Sequence, residues 1–315
     1  MKKLLVILLS AVLMLTMSGC QEKEKTLTIG ICQIAQHPAL DAASEGFMKA
    51  LKEEFGDQVT FLLENGSGDP ATCSIICNNF VADNVDLILA NATPALQAAA
   101  SATSSIPILG TSVSDFGSAL NIPDFKNVTG RNISGTSDLA PLDKQAQMII
   151  DLLPQAKTVG LLFCSGEANS LFQVEAVKEY LESHGLTAKL FSFSSSADVS
   201  LVTSQACDEC DALYIPTDNT AATCAELIGG IVLNTNTPVI AGEEALCRAC
   251  GLATLTIDYY ALGFQTGKMA AAILRGEASV SDMPIQFFDN PVFKFNKQLC
   301  EKFNITVPDG YVALD

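Results

Sequence analysis

The sequence predicts an α/β protein made of two lobes, each built on a parallel sheet covered by helices. The chain has 315 residues, which corresponds to about two domains. Hydrophobic residues make up 49% of it and charged residues 17%, an ordinary balance for a globular protein. From residue 27 onward, short apolar or β-branched runs alternate with helical patterns in two similar series, as expected for βαβ units around parallel sheets.

The N-terminal residues carry an export signal. Two lysines precede an apolar run over residues 4–17, which is shorter than the roughly 20 residues that a membrane-spanning helix needs. Small residues directly before Cys20 resemble the bacterial lipobox, which implies cleavage before Cys20 and lipid attachment to its sulfur. We expect residues 1–19 to be a lipoprotein signal peptide and residues 20–26 a solvated tether. A plain signal peptide with an incidental cysteine is the alternative.

The first series of elements begins at residue 27. A helix starts with Pro38 at a first helical position, carries apolar residues at three- and four-residue spacing, and ends at Gly56. The chain becomes irregular and rich in Ser, Gly, Asn and Asp between residues 111 and 141, so we place the first crossing between lobes there. The strands expected in this series are 27–34, 59–63, 87–90 and 107–109.

The second series repeats this pattern. Ser170 and Gln173 form a capping box for a helix that ends at His184 and Gly185. Asp258 opens a further helix. The strands expected in this series are 158–163, 188–193, 212–215, 238–241 and 252–255.

The segment after Gly276 is too short for a third domain and is expected to supply final strands. The first lobe is therefore predicted to comprise residues 27–138 plus about 258–284. The second is predicted to comprise 139–257 plus about 285–315, and several linkers would together form one hinge.

The charge balance and the absence of catalytic signatures exclude several functions. The chain has 18 Lys and Arg against 35 Asp and Glu, a net charge of -17, which repels phosphate backbones. It has two His and none of the common hydrolase, zinc-protease or nucleotide-binding signatures. We expect no nucleic-acid partner, no enzymatic activity and no cofactor, and we expect a monomer.

The loops after the predicted strands are rich in small polar residues, and ligands of open parallel sheets bind at these loops. They offer hydroxyls, amides and backbone donors for a carboxylate, and Asp218 and Glu243 for an ammonium, without Arg or Lys. A phosphate or dicarboxylate ligand would recruit Arg, so the loops favour a small zwitterion. Helix capping is the alternative role of each loop taken singly. The other candidate residues of these loops are Ser114, Asp115, Phe116, Glu167 and Ala168.

Five segments resemble the substrate-binding lipoproteins of ABC importers for tryptophan and tyrosine. The likeness extends over almost the whole mature chain and is most specific in the Glu-Ala-Asn-Ser and Thr-Asp-Asn loops. It implies two Rossmann-like lobes of the type I periplasmic-binding-protein architecture, with a multi-strand hinge. The segments are IGICQIAQHPALD from residue 29, NATP from residue 91, EANS from residue 167, DALYIPTDN from residue 211 and DYYALG from residue 258.

The resemblance also implies a ligand and its contacts. The ligand would be an aromatic or similar apolar amino acid, such as tryptophan, tyrosine or phenylalanine, and the partners an ABC permease and its ATPase. The carboxylate would bind N–H groups near Asn169 and Ser170, and the ammonium would lie near Asp218. Phe116 stands where the family has proline. The residues placed at the ligand are Thr93, Asn169, Ser170, Asp218 and Asn219, with Leu40, Phe116 and Phe172 covering its side chain.

Ten cysteines follow Cys20. Cys207 and Cys210 form one C-x2-C pair, and Cys247 and Cys250 form another after 36 intervening residues. The four could bind zinc or form disulfides, and the remaining cysteines are interpreted as small core residues.

The predicted function is that of an extracytoplasmic substrate-binding lipoprotein of an ABC importer, anchored at the outer face of the cytoplasmic membrane or periplasmic. Two alternatives remain open. One is a periplasmic protein that binds a similar ligand and signals to a membrane receptor, and the other is a thiol- or zinc-binding protein.

Overall fold

The computed structural model describes residues 26–288 and 290–314. The predicted signal peptide, Cys20 and most of the tether lie outside the described residues. Among the described residues, every helix is too short or too polar to serve as a membrane-spanning segment.

The first series of elements forms most of one sheet and its helices. Pro38 begins the first long helix, because its ring suits a first helical position where no N–H is needed. The elements are β1 (Leu27–Gln33), α1 (Pro38–Phe55), β2 (Val59–Asn65), α2 (Pro70–Ala82), β3 (Leu87–Asn91), α3 (Thr93–Ala102), β4 (Ile108–Val113), α4 (Phe116–Ala119) and β5 (Ile133–Ser137).

The second series forms most of the other sheet. Its elements are α5 (Leu142–Leu152), β6 (Thr158–Cys164), α6 (Ala168–Ser183), β7 (Thr187–Phe193), α7 (Val199–Glu209), β8 (Ala212–Ile215), α8 (Asn219–Thr223), α9 (Ala225–Thr235), β9 (Val239–Ala241), α10 (Glu244–Cys250) and β10 (Ala253–Thr256). The chain ends with α11 (Tyr259–Leu274), β11 (Gln286–Phe287), β12 (Val292–Phe295), α12 (Lys297–Lys302) and β13 (Val312–Ala313).

Two sheets organise these elements, and the predicted α/β class is confirmed. The first sheet has the strand order β11-β5-β4-β3-β1-β2, with parallel pairing throughout. The second has the order β13-β12-β10-β9-β8-β6-β7 and is parallel except where β12 pairs with β10. The chain passes between the sheets three times: after β5, after β10 and after β11.

The structure differs from the predicted elements mainly beside these passages. The strand β5 was not predicted, because its Ser- and Gly-containing sequence has the composition of a loop. The strand β11 pairs with β5, so residues 286–287 belong to the first sheet. The return to the second sheet therefore lies after β11 and not at about residue 285, because β11 extends the edge of the first sheet before the chain crosses.

Two glycines set how closely α11 packs on α1. A Cβ atom at Gly263 would overlap the backbone of Ala43, and one at Gly46 would overlap the backbone at Tyr260. The two helix backbones therefore touch, which fixes the N-terminus of α11 beside that of α1. This contact places Tyr259, the first residue of α11, at the junction of the two lobes.

Candidate functional site

The carboxyl ends of both parallel sheets face a shared cavity, as expected for ligand sites in open parallel sheets. We call it the interlobe cavity. The first lobe and the connections contribute His37, Ala39, Leu40, Ser112, Asp138 and Tyr259, and the second lobe contributes Asn169, Thr217, Asp218, Asn219, Ala222 and Glu243.

Three carboxyl groups line the interlobe cavity. Asp138, Asp218 and Glu243 are each at most 4% exposed, and no Lys or Arg of the described residues is among the lining. Burial raises the pKa of Asp138, and it raises the pKa of both Asp218 and Glu243 to about 7. Burying carboxyl groups without a cation is costly, so this arrangement favours a positively charged group in the cavity.

Each of these carboxyl groups is held in place by donors. Asp218 caps α8 through the N–H of Ala221 at 2.7 Å and accepts the N–H of Cys164 at 2.6 Å. Glu243 caps α10 through two N–H groups of its first turn. Asp138 accepts from Ser114 Oγ at 2.9 Å and from Tyr259 Oη at 3.0 Å. The three groups therefore enter the cavity in fixed positions.

Glu167 fixes the position of the loop that carries Asn219 and Thr220 through hydrogen bonds to its carboxylate. Its carboxylate accepts the backbone N–H of Asn219 at 3.0 Å and the Asn219 side-chain amide at 2.6 Å. It also accepts the N–H and hydroxyl of Thr220, each at 2.8 Å. Glu167 thus orients Asn219 and does not itself line the interlobe cavity.

The first lobe offers donors beside the cavity. The ten-residue helix α3 begins without a side-chain cap, and because its second residue, Pro94, has no N–H, the N–H groups of Thr93 and Ala95 are the ones that it offers to an anion. Thr93 Oγ1 and Ser112 Oγ are buried and lack hydrogen-bond partners. Ala92 has φ +90° and Ser112 has φ +55°, conformations that non-glycine residues rarely adopt and that cluster at ligand sites.

Direct hydrogen bonds connect the two lobes across the cavity. His37 Nε2 lies 3.2 Å from Asn219 Oδ1, and Gln173 Nε2 lies 3.3 Å from Ser114 Oγ. The cavity volume is about 10 Å³, room for about one water molecule. The structure is therefore a closed form, and a solute as large as an amino acid enters only when the lobes separate.

Two larger clefts adjoin the interlobe cavity on opposite sides. The hinge-side cleft has a volume of about 870 Å³ and shares Ala39, Ala222, Glu243 and Tyr259 with the cavity. The mouth cleft has a volume of about 540 Å³ and shares Asn219 with it. The three spaces together run from the hinge to the outer edge of the two sheets.

Some of the site residues predicted from the sequence line this cavity, and others lie outside its lining. Asp218, Asn219, Glu243, Asn169 and Leu40 line it. Thr93 and Ser114 lie directly behind the lining: Thr93 follows β3, and Ser114 donates to Asp138. Ala168 is the first residue of α6, and Phe172 lies further along that helix; neither is among the lining residues.

Three sequence-based expectations are corrected. Phe116 is 2% exposed in the first-lobe core, where its ring covers Gly110, and it is not among the residues that line the interlobe cavity. Asp115 caps α4 through the N–H of Ser118. The N–H of Ser170 donates to the carbonyl of Glu167 at 3.1 Å and is not free for a carboxylate.

Sequence reasoning missed Asp138 as a lining residue. It identified the loops that contain Ser112 and Thr217 without choosing these two residues, and it placed Tyr259 in the family-like segment from residue 258 without assigning it to the ligand. Asp138 is the polar residue that follows β5, just as Asp218 follows β8. Recognition of β5 would have identified Asp138 by the same rule.

In the described part of the chain, the four cysteines considered for zinc do not come together as a group of ligands. All ten cysteines of the described residues are free, and no group of three or more His, Cys, Asp or Glu in this part of the chain could hold a metal ion. Cys247 and Cys250 are buried in α10, where their thiols donate to Gly251 and Leu246 carbonyls at 3.5 and 3.2 Å.

Comparison with known proteins identifies relatives over nearly the whole chain. Residues 28–314 match the family model for ABC transporter substrate binding proteins. A tyrosine-binding protein from Clostridioides difficile is 33% identical over 314 residues, which cover 94% of this chain and 90% of that protein.

Two solved structures of relatives, one with a bound ligand and one open, allow the conformation of this chain to be compared. A Streptococcus pneumoniae ABC domain in complex with L-Trp is 32% identical, with a TM-score of 0.87 over 92% of this chain and all of the other. A ligand-free, open substrate-binding protein from Clostridium difficile, which has adhesive properties, is 36% identical over the same shares, with a TM-score of 0.68. The present structure therefore resembles the liganded form more closely than the open form, although its sequence is closer to that of the open protein. These similarities confirm the expected type I periplasmic-binding-protein fold.

Proposed function

This chain belongs to the ABC transporter substrate-binding protein family, and from that premise we propose that its cargo is an amino acid bound between the two lobes. Substrate-binding proteins of ABC importers are extracytoplasmic and deliver their solute to a permease. The observation that carries the proposal is the interlobe cavity, where three buried carboxyl groups converge and the lining formed by the described residues contains no Lys or Arg. The ammonium of an amino acid supplies the missing positive charge.

The carboxylate of the amino acid is assigned to the first-lobe side. The uncapped N-terminus of α3 provides N–H groups, and Thr93 and Ser112 provide hydroxyls without other partners. Backbone N–H groups at a helix start suit an anion. This assignment replaces the expected position at Ser170, whose N–H is already occupied.

An aromatic amino acid is the proposed cargo, by analogy with the tyrosine-binding relative and the L-Trp complex. A partner permease with its ATPase, a lipid anchor on Cys20 and a monomeric state complete the proposal. Incorporation of labelled fatty acid that is lost in Cys20→Ala would support the anchor, and equal labelling of the variant would contradict it.

The cargo is tested by identification of the small molecules that are released when the purified full chain is denatured, followed by calorimetric titration with the amino acids found. We expect Asn169→Ala and Asp218→Asn each to weaken binding by about tenfold or more, about 1.4 kcal/mol. The exposed residues Asn78 and Asp143 provide matched controls, and Asn78→Ala and Asp143→Asn should bind as the parent does. Absence of binding across all the amino acids would refute the proposal.

A further inference from the structure

The interlobe cavity presents hydrogen-bond acceptors that have no partner. Asn169 Oδ1 and His37 Nδ1 are buried, line the cavity and make no hydrogen bond. They stand beside the carboxyl groups of Asp138 and Glu243. A group that donates several hydrogen bonds and carries a positive charge would satisfy this set.

The neighbouring hydrogen bonds fix these atoms as acceptors. The Asn169 amide nitrogen donates to the carbonyl of Thr217 at 2.9 Å, so its oxygen faces the cavity. The Asn219 amide nitrogen donates to Glu167, so its oxygen faces His37 Nε2, which must then carry the proton. In neutral imidazole the other nitrogen, Nδ1, is left as an acceptor, and burial lowers the pKa of His37 and keeps it neutral.

The size of the cavity limits what can satisfy these acceptors. A volume of about 10 Å³ admits a group about as large as one water molecule. A primary ammonium has one heavy atom and three N–H donors. In the closed form, therefore, the ammonium fits among these acceptors and the rest of the ligand must extend into an adjoining cleft.

The hinge-side cleft is the better place for an apolar group. It shares Ala39, Ala222, Glu243 and Tyr259 with the cavity, and its further lining includes the apolar side chains of Ala42 and Phe288. Its volume of about 870 Å³ is within the range of small-molecule sites, about 300–1,000 Å³.

The mouth cleft has a different character. Much of its wall is formed by hydroxyl and amide side chains, among them Asn65, Ser67, Ser194, Ser195 and Thr220. An aromatic ring placed there would displace water from these polar groups without replacing their hydrogen bonds. The ligand therefore points towards the hinge and away from the mouth.

The basic groups around the hinge-side cleft already have acidic partners. Glu244 pairs with Arg248 at 2.8 Å and with Lys294 at 2.5 Å. These pairs do not require a ligand carboxylate, and the donors assigned to that carboxylate at α3 are uncharged hydroxyl and N–H groups. The ammonium thus makes the charged contacts of the site.

Building on the proposed function, we propose that the hinge-side cleft receives the apolar body of a ligand whose primary ammonium fills the interlobe cavity, so that the protein binds aromatic primary amines as well as amino acids. The required features are an unsubstituted ammonium and an apolar body of aromatic size. A carboxylate strengthens binding but is not essential.

The test is a calorimetric comparison of four related compounds with the full chain in detergent. The compounds are the aromatic amino acid that binds best, its decarboxylated amine, its N-acetyl derivative and its analogue that lacks the amino group. We expect the amine to bind within about tenfold of the amino acid, and both compounds without a free ammonium to lose about a hundredfold or more. Retained binding of the deaminated analogue, or complete loss of the amine, would overturn the inference.

Cleft-filling variants test the direction of the ligand. Ala42→Phe narrows the hinge-side cleft at a residue that does not line the interlobe cavity, and Ser195→Phe adds the same ring to the mouth cleft as a control. We expect Ala42→Phe to lose affinity for the aromatic ligand while it keeps its binding of a small amino acid such as alanine, and Ser195→Phe to keep both. The opposite pattern would place the ligand at the mouth. If no amino acid binds the unmodified chain, the proposed function itself fails, a result distinct from both patterns.

Discussion

Ligand binding should depend steeply on pH between 5 and 8, because the carboxyl groups of the interlobe cavity are raised in pKa. Burial brings the pKa of Asp218 and of Glu243 to about 7, well above the ordinary values of about 4. A raised pKa in the folded state means that the fold favours the protonated carboxyl group. The contribution of this group to folding stability is fully present below about pH 4 and is lost as the pH rises through about 7. A bound ammonium offsets this loss, because it favours the ionised carboxylate.

The magnitude follows from the ionised fraction. A carboxyl group with a pKa of about 7 is about nine-tenths ionised at pH 8 and about one-hundredth ionised at pH 5. A ligand that requires one ionised carboxylate should therefore bind about a hundredfold more weakly at pH 5, a difference of about 2.7 kcal/mol. Burial lowers the pKa of His37 and favours its neutral ring, so we assign the change in affinity to the carboxyl groups.

Isothermal titration calorimetry across this pH range measures both the affinity and the protons released. At pH 7, the apparent enthalpy should differ between two buffers with different ionisation enthalpies, because binding expels protons from the cavity. Glu243→Gln should flatten the pH profile, whereas Glu175→Gln, at an exposed residue of α6 that lines neither the cavity nor the clefts, should leave it unchanged. An affinity that stays constant from pH 5 to pH 8, with equal enthalpies in both buffers, would refute the reasoning.

Further predictions concern packing, closure and the thiols. Gly263→Ala should destabilise the protein by several kcal/mol in denaturant unfolding, because its Cβ would overlap α1. Gly230→Ala has open space at its Cβ and should stabilise α9 by about 0.5–1 kcal/mol. Equal effects of the two substitutions on the free energy of unfolding would contradict this packing. His37→Phe removes an interlobe hydrogen bond and should shift the ligand-free protein towards larger dimensions in small-angle scattering, whereas an unchanged profile would show that this bond does not hold the lobes together. A thiol reagent should modify Cys224 and Cys210 first, and Cys210 should react more slowly of the two because partial burial raises its pKa to about 11. Denaturation without reductant should make eight more thiols reactive. If the number of reactive thiols does not increase on denaturation, the remaining cysteines form disulfides.

The order of strands and helices could be predicted because most strands are short apolar runs bounded by turn residues. For β1 and β8 the observed limits match the prediction to within one residue. The strands beside the hinge could not be recognised this way, since β5 has the composition of a loop. The strands β11 and β13 have two residues each, too few for any periodicity.

The candidate site was predictable where a polar residue follows a recognised strand. Asp218 and Glu243 were found by that rule, and both line the cavity. Asp138 was missed because the strand before it was missed. Phe116 was assigned to the ligand because it follows β4. Its ring instead packs in the core over Gly110, which has no side chain to fill that space. A contact between a ring and a glycine elsewhere on the sheet cannot be recognised from a single sequence.

The position of β11 in the first sheet has a consequence for the order of assembly. The first lobe needs α11 and β11, and both are synthesised after most of the second lobe. Until they emerge, the apolar face of α1 has no partner helix and the outer edge of β5 stays open. Long-range contacts of this kind slow folding. A nascent chain of this protein therefore has no complete lobe until about its last fifty residues have been synthesised. Such a delay in folding suits a polypeptide that crosses a membrane through a translocation pore while it is still unfolded.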